Sequence, residues 1–161
     1  MTKFWILASY LAATFSTATS ASLLQEQNVP LNIALEIAQG AVEACAKDSY
    51  SVSAAVVDRG GVLRALLRSD NAGIHTPDAA RRKAYTAVSS RTATSTMVKN
   101  IHNPSAAQLV SIDDFLILAG GVPIKIGNET VGAIGVGGAP SGDLDEGCAI
   151  AALKQVTDKL K

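Results

Sequence analysis

Residues 120 to 147 read GGVPIKIGNETVGAIGVGGAPSGDLDEG, and glycines at this density are where backbone N–H groups can cradle a phosphate. A dinucleotide-binding fingerprint needs its glycines between a strand and a helix of a parallel unit, with an acidic residue at the next strand end. Here Val122, Ile124 and Ile126 alternate with Pro123 and Lys125, Gly127-Asn128-Glu129 turns the chain, and Val131, Ile134 and Val136 return it. That order is a β-hairpin, whose glycines serve turns and close strand neighbours. One anion-binding feature survives. Gly137 to Gly142 leads into a helix, whose free N–H groups and dipole suit a carboxylate or phosphate. Asp143, Asp145 and Glu146 compete for the same terminus, so ligand contact and simple capping both stay open.

Other reactive residues are sparse. The two histidines, His75 and His102, have no cysteines at ligand spacing and do not make a zinc site. No nucleophile-elbow sequence places a serine for hydrolysis. Asp113-Asp114 and Asp143 with Asp145 are carboxylate pairs of the kind used for proton transfer, but each stands at an element end, where acids are ordinary. No catalytic motif is recognisable. Cys45 and Cys148 lie on the apolar stripes of their helices; if those helices pack side by side in an exported protein they can form a disulfide, and otherwise they are two buried thiols. Asn128-Glu129-Thr130 is a glycosylation sequon at a hairpin tip.

Charge is balanced overall, with 14 basic and 14 acidic residues, yet residues 59 to 99 carry eight bases against only Asp70 and Asp78. Such a segment suits a small anionic ligand, or else a solvated face balanced by acids from elsewhere. Nucleic acid is disfavoured, because after residue 21 only Tyr50, Tyr85 and Phe115 can stack.

These residues need elements to hold them. Residues 1 to 21 place Lys3 before an apolar run from Phe4 to Phe15 and then small residues, the order of a secretory signal peptide too short to remain as a membrane anchor. Cleavage is expected between Ala18 and Ala21, leaving residues 22 to 161 as one domain of a secreted, periplasmic or extracellular protein. Leu31, Ala34, Leu35, Ala38, Val42 and Cys45 predict a helix over 30–47. SVSAAVVD and GVLRALLR flank Arg59-Gly60-Gly61 as a hairpin. A helix is expected from Pro77 to about Ser95, a short one over Ala106 to Val110, a fifth strand from Phe115 to Ala119, and a last helix from Asp143 to Leu160. The result is an α/β fold of the α+β type, a single sandwich domain with a five-stranded antiparallel sheet covered by helices.

The combination of DAARRKAYTAV, LAGGVPIKIGNETVGAIGVGG and SGDLDEGCAIAAL resembles the GlcG-like and HbpS-like haem-binding family, related to the C-terminal domain of PduO. The resemblance covers about residues 28 to 160. It implies a small sandwich that forms homo-oligomers, binds haem or a corrinoid, and in some members degrades haem or is linked to glycolate metabolism. Carried onto this chain, the helix motif supplies Lys83, Tyr85 and Thr86, the hairpin entry Gly120, Gly121 and Pro123, and the acidic motif Asp145 and Glu146. For haem, His75 and His102 are the candidate iron ligands, with Tyr85 as an anionic oxygen alternative. Arg81, Arg82 and Lys83 are candidate partners for the propionates, although three consecutive helical residues face three directions. The favoured expectation is an exported tetrapyrrole carrier, store or sensor. The alternatives are a small enzyme for an anionic metabolite and a purely structural homo-oligomer.

Overall fold

The structure, a computed structural model, describes residues 23–160; the expected signal peptide lies outside the described residues. Helix α1 (Leu31–Ala46) leads into strands β1 (Ser53–Asp58) and β2 (Leu63–Arg68), then helices α2 (Thr76–Ser90), α3 (Thr94–Asn100) and the single-turn α4 (Pro104–Ala107). Strands β3 (Gly121–Ile126) and β4 (Glu129–Gly137) and helix α5 (Gly142–Val156) complete the chain, with 3-10 turns after α4 and α5. The sheet has the order β2-β1-β4-β3, and every neighbouring pair is antiparallel. No described helix is long and apolar enough to cross a membrane.

Strand alternation explains the layers. Ala54 and Val56 of β1 join Ile33, Ile37, Ala41, Val136, Ala149 and Ala152 in the larger core, formed with α1 and α5. Val57, on the opposite face, meets Ala84, Ala87 and Val88 of α2. The α2 face is built from alanine and glycine. A Cβ on Gly135 of β4 would lie 2.0 Å from the Ala80 carbonyl oxygen and 2.6 Å from the Ala84 nitrogen. Only glycine lets the helix backbone rest directly on the strand, and nothing wider than a hydrogen atom fits between them there.

Both hairpins form where the turn residues place them. The sheet, however, has four strands rather than five. Phe115 to Ala119 stays a loop because α2 side chains take its backbone groups: Leu116 N–H donates to Thr86 Oγ1 at 2.8 Å, and Arg82 donates to the Phe115 carbonyl at 2.9 Å. A segment hydrogen-bonded to a helix in this way has no ladder left to offer. The helix expected over 77–95 also breaks, at Arg91, whose φ of 55° is left-handed. Its N–H and that of Thr92 bond the Val88 and Ala87 carbonyls, closing α2 before α3 begins.

Helices α1 and α5 lie side by side, and Cys45 and Cys148 are joined by a disulfide with their Cα atoms 5.4 Å apart. The bond closes a loop of 103 residues, enough to remove about 4–5 kcal/mol of chain entropy from the unfolded state. The Cys45→Ala/Cys148→Ala variant is expected to keep its circular dichroism spectrum while its denaturant midpoint falls; an unchanged midpoint would show that the cross-link contributes nothing.

Candidate functional site

Helix α2 carries most of the residues singled out by sequence, and it disposes them in three directions. At its N-terminus, Thr76 is 1% exposed; its hydroxyl hydrogen-bonds the Gly73 carbonyl at 2.8 Å and the Ser53 hydroxyl of β1 at 2.7 Å. Arg68 of β2 donates through Nε to the Ala72 carbonyl at 3.1 Å. The turn from Asn71 to His75 is thereby fastened to two strands. Its apolar tip, Ile74, is 90% exposed, and the exposed His75 ring lies back over Gly73, its Cε1 2.8 Å from where a Cβ would stand. The His75 ring makes no hydrogen bond among the described residues. His75 is thus an exposed imidazole on a fastened turn, beside the exposed side chain of Ile74.

The outer face of α2 holds the loop after α4. Arg81 pairs with Asp114 at 2.8 Å and with Asp78 at 3.1 Å. Tyr85 meets Phe115 edge to face, with ring centroids 6.2 Å apart. Thr86 is fully buried, accepting from Leu116 N–H and donating to the Arg82 carbonyl. Tyr85 is therefore part of the loop's seat, whereas Arg82, bonded to one carbonyl, stands two turns along from His75 and on the same helix face.

The inner face holds Lys83. Expected among the groups that meet a ligand, it is instead 1% exposed, and its ammonium donates to Asp145 Oδ2 at 2.8 Å and to the Val136 carbonyl at 2.9 Å. The other Asp145 oxygen accepts from Ala139 N–H at 2.9 Å. Burial pushes the Asp145 carboxyl above its ordinary value, while the Lys83 ammonium and the Ala139 and Gly138 N–H groups pull it back. The N–H groups of the glycine loop thus serve an acid of α5, and Ser141 caps that helix by accepting from Leu144 N–H. Gly120 and Gly121 stand against this pair. Gly120 has φ 120°, and a Cβ there would lie 2.9 Å from Lys83 Nζ; one on Gly121 would lie 2.4 Å from the Lys83 carbonyl oxygen. Thr94, whose hydroxyl accepts from Gly121 N–H at 2.8 Å, and Glu146, bonded to Ser95, finish the knot.

The structure therefore gathers Lys83, Gly120, Gly121 and Asp145 into one buried cluster, with the part-buried Glu146 at its edge, and leaves His75 exposed at the head of α2. His102 is exposed in the turn between α3 and α4, with no side-chain partner among the described residues. Asn128 is exposed at the tip of the β3–β4 hairpin. No group of three or more His, Cys, Asp and Glu among the described residues is arranged to hold a bare metal ion.

The profile of the haem degrading protein HbpS-like family matches residues 29–154. The chain belongs to that family. A double mutant of HbpS from Streptomyces reticuli superposes with a TM-score of 0.81 at 43% identity, over 90% of this chain and 98% of that one. Protein GlcG of Escherichia coli K12 is 37% identical over 100 residues, 62% of this chain and 73% of GlcG. A PduOC:heme complex shares the fold, with a TM-score of 0.71 at 22% identity over 79% of this chain and 94% of that one. In this HbpS-like chain, Thr76, Thr94 and Phe115 position the candidate site and were not legible as such. Their signal is indirect: Thr76 and Thr94 are hydroxyl residues at helix starts that meet neighbouring polar groups, and Phe115 is an aromatic that packs on Tyr85.

Two predictions follow from the geometry. Leaving one charge of the Lys83–Asp145 pair buried alone costs about 3–5 kcal/mol. Lys83→Met should lower the unfolding free energy by that order, and Lys83→Met/Asp145→Leu should recover most of it; equal losses in both would mean the packing, not the ion pair, is at stake. The second concerns Asp114, whose hydrogen bond from Arg81 holds its carboxyl below the usual carboxylate range. A depressed carboxyl stabilises fully above its unfolded pKa and stops doing so as pH falls through the folded value. Amide exchange at Phe115 and Leu116 should accelerate, relative to its intrinsic rate, only below the ordinary aspartate range, and Asp114→Asn should abolish that step.

Proposed function

We propose that this protein binds haem or a closely related tetrapyrrole as an exported carrier, store or sensor, with His75 as the iron ligand and His102 as the second candidate. The observation that carries the reading is the unpartnered His75 imidazole on its fastened turn, in a chain of the HbpS-like family. A haem iron brings most of its own coordination sphere and asks the protein for one or two axial ligands, which a single exposed imidazole satisfies. When bound, the group supplies redox-active iron and a strong visible absorption. The chain's own residues hold and orient it. Ile74 offers apolar contact, Arg82 has donors free for a propionate, and Arg81 can reach one by exchanging Asp78.

The close seat of α2 on β4 leaves no room for a macrocycle between helix and sheet, so the ligand lies on the outside. A flat apolar group on an outer face keeps one side bare, and a second copy of the chain is the natural cover. We therefore read the working form as a homo-oligomer. The exposed Leu63 and Leu66 of edge strand β2 add apolar surface that association would bury. Export is supported by the leader-like first 21 residues and by a disulfide of the kind that oxidising compartments permit. The enzyme reading, action on an anionic metabolite, finds no acid, base and nucleophile brought together among the described residues.

Titration of the purified protein with haemin should give a saturable Soret shift near one equivalent per chain. His75→Ala should alter the band and weaken binding, with His102→Ala leaving the spectrum unchanged if His75 is the ligand. A featureless titration would remove the tetrapyrrole reading, and a wild-type spectrum in both variants would remove the histidine ligation.

A further inference from the structure

The opposite end of α2 opens onto a cleft of about 520 Å³ between the β1–β2 turn, the end of the helix and the β3–β4 hairpin. Arg59, Ser89, Arg91, Asn128, Glu129 and Thr130 line it. Arg91 sits in the left-handed conformation that closes helices, where glycine is the usual residue and a side chain is strained. Its guanidinium has no partner among the described residues. Arg59, by contrast, is paired with Glu129 and approaches Glu26 at 3.6 Å. Thr130 is only 8% exposed. Its hydroxyl has no partner among the described residues, and since no fully buried side-chain N or O among them lacks one, that hydroxyl is not fully buried; Thr130 lines the cleft.

The donors converge on one chemistry. The guanidinium fork can only donate, two hydroxyls and a carboxamide can donate as well as accept, and a second guanidinium stands behind a carboxylate that belongs to the protein. A monoanion would gain Arg91 and be repelled by Glu129. An anion with two or more charges gains Arg91 and also competes with Glu129 for Arg59. We propose that this cleft binds a small multivalent oxyanion, a di- or tricarboxylate or a phosphate ester, anchored by Arg91, with Glu129 as a tethered competitor. The site is separate from His75, since the 15 residues of α2 span about 20 Å at 1.5 Å per residue. It does not rest on the tetrapyrrole reading.

The test is calorimetric titration of the purified protein with citrate and with inorganic phosphate, alongside Arg91→Gly and Glu129→Gln. Saturable binding of at least one anion is expected, weakened about tenfold or more in Arg91→Gly by loss of a charge-assisted contact. That variant should melt no lower than wild type, because glycine suits the left-handed position, so lost binding cannot be ascribed to misfolding. Glu129→Gln should bind more tightly. Preference for citrate or phosphate identifies which source of oxyanion the cleft takes. Absence of saturable binding by either anion, or wild-type affinity in Arg91→Gly, overturns the assignment.

Discussion

Taking an ammonium and a carboxylate out of water costs several kcal/mol per ion unless each is met by its counter-charge and by further hydrogen bonds. The Lys83–Asp145 pair meets that requirement by drawing five segments to one point. Helix α2 brings Lys83, the end of β4 its Val136 carbonyl, the glycine loop its Ala139 N–H, α5 the carboxylate, and the Gly120-Gly121 turn the space. None can slide without stranding a charge. The consequence reaches function because α2 is the helix so fixed. His75 stands at its head and Arg91 at its foot, so one buried ion pair sets the position of both candidate ligand groups.

Close contact between α2 and the sheet works in the same direction. Ala80, Ala84 and Ala87 against Gly135 and Ala133 make a thin interface, with backbone nearly touching backbone. Hydrophobic burial there is modest per residue, since alanine and glycine have little side chain to remove from water. What the arrangement gains is rigidity and the absence of interior space. The opposite face, with Ile33, Ile37, Ile134 and Val136, supplies the larger apolar burial and is cross-linked by Cys45–Cys148. Apolar burial is thus concentrated on the α1–α5 side, and the candidate ligand groups His75 and Arg91 stand at the two ends of α2.

Much of the scaffold was legible because it follows simple periods. Helix α1 and both hairpins show three- and four-residue or alternating patterns bounded by Gly, Pro or Asn. The loop after α4 was not, because Phe115 to Ala119 has a strand's composition and is prevented from being one by Thr86 and Arg82, which lie some thirty residues earlier. The break at Arg91 was hidden for a related reason: arginine carries no signal for a left-handed cap, and the conformation is imposed from outside the segment. Lys83 was read as a candidate ligand group, and the structure buries it against Asp145 on the face it shares with Ala80, Ala84 and Ala87. A lysine on an alanine stripe that packs on a sheet must find an acid, and Asp145 at the start of the last helix was the candidate.

The basic segment shows why counting charge along a chain cannot locate a site. Arg59 is paired with acids, Arg68 with a carbonyl, Arg81 with two aspartates, Arg82 with the loop, and Lys83 with Asp145. Arg64, Arg91 and Lys99 have no side-chain partner among the described residues. Exposed cations of that kind are ordinarily solvated and contribute little. Arg91 differs from the other two because it lines a cleft with further side-chain donors and its backbone is held by the helix end. The useful quantity is therefore not net charge but the charge left over after the fold has satisfied its own acceptors, and on α2 that remainder is Arg82, bonded only to a neutral carbonyl, and Arg91 at the end away from His75.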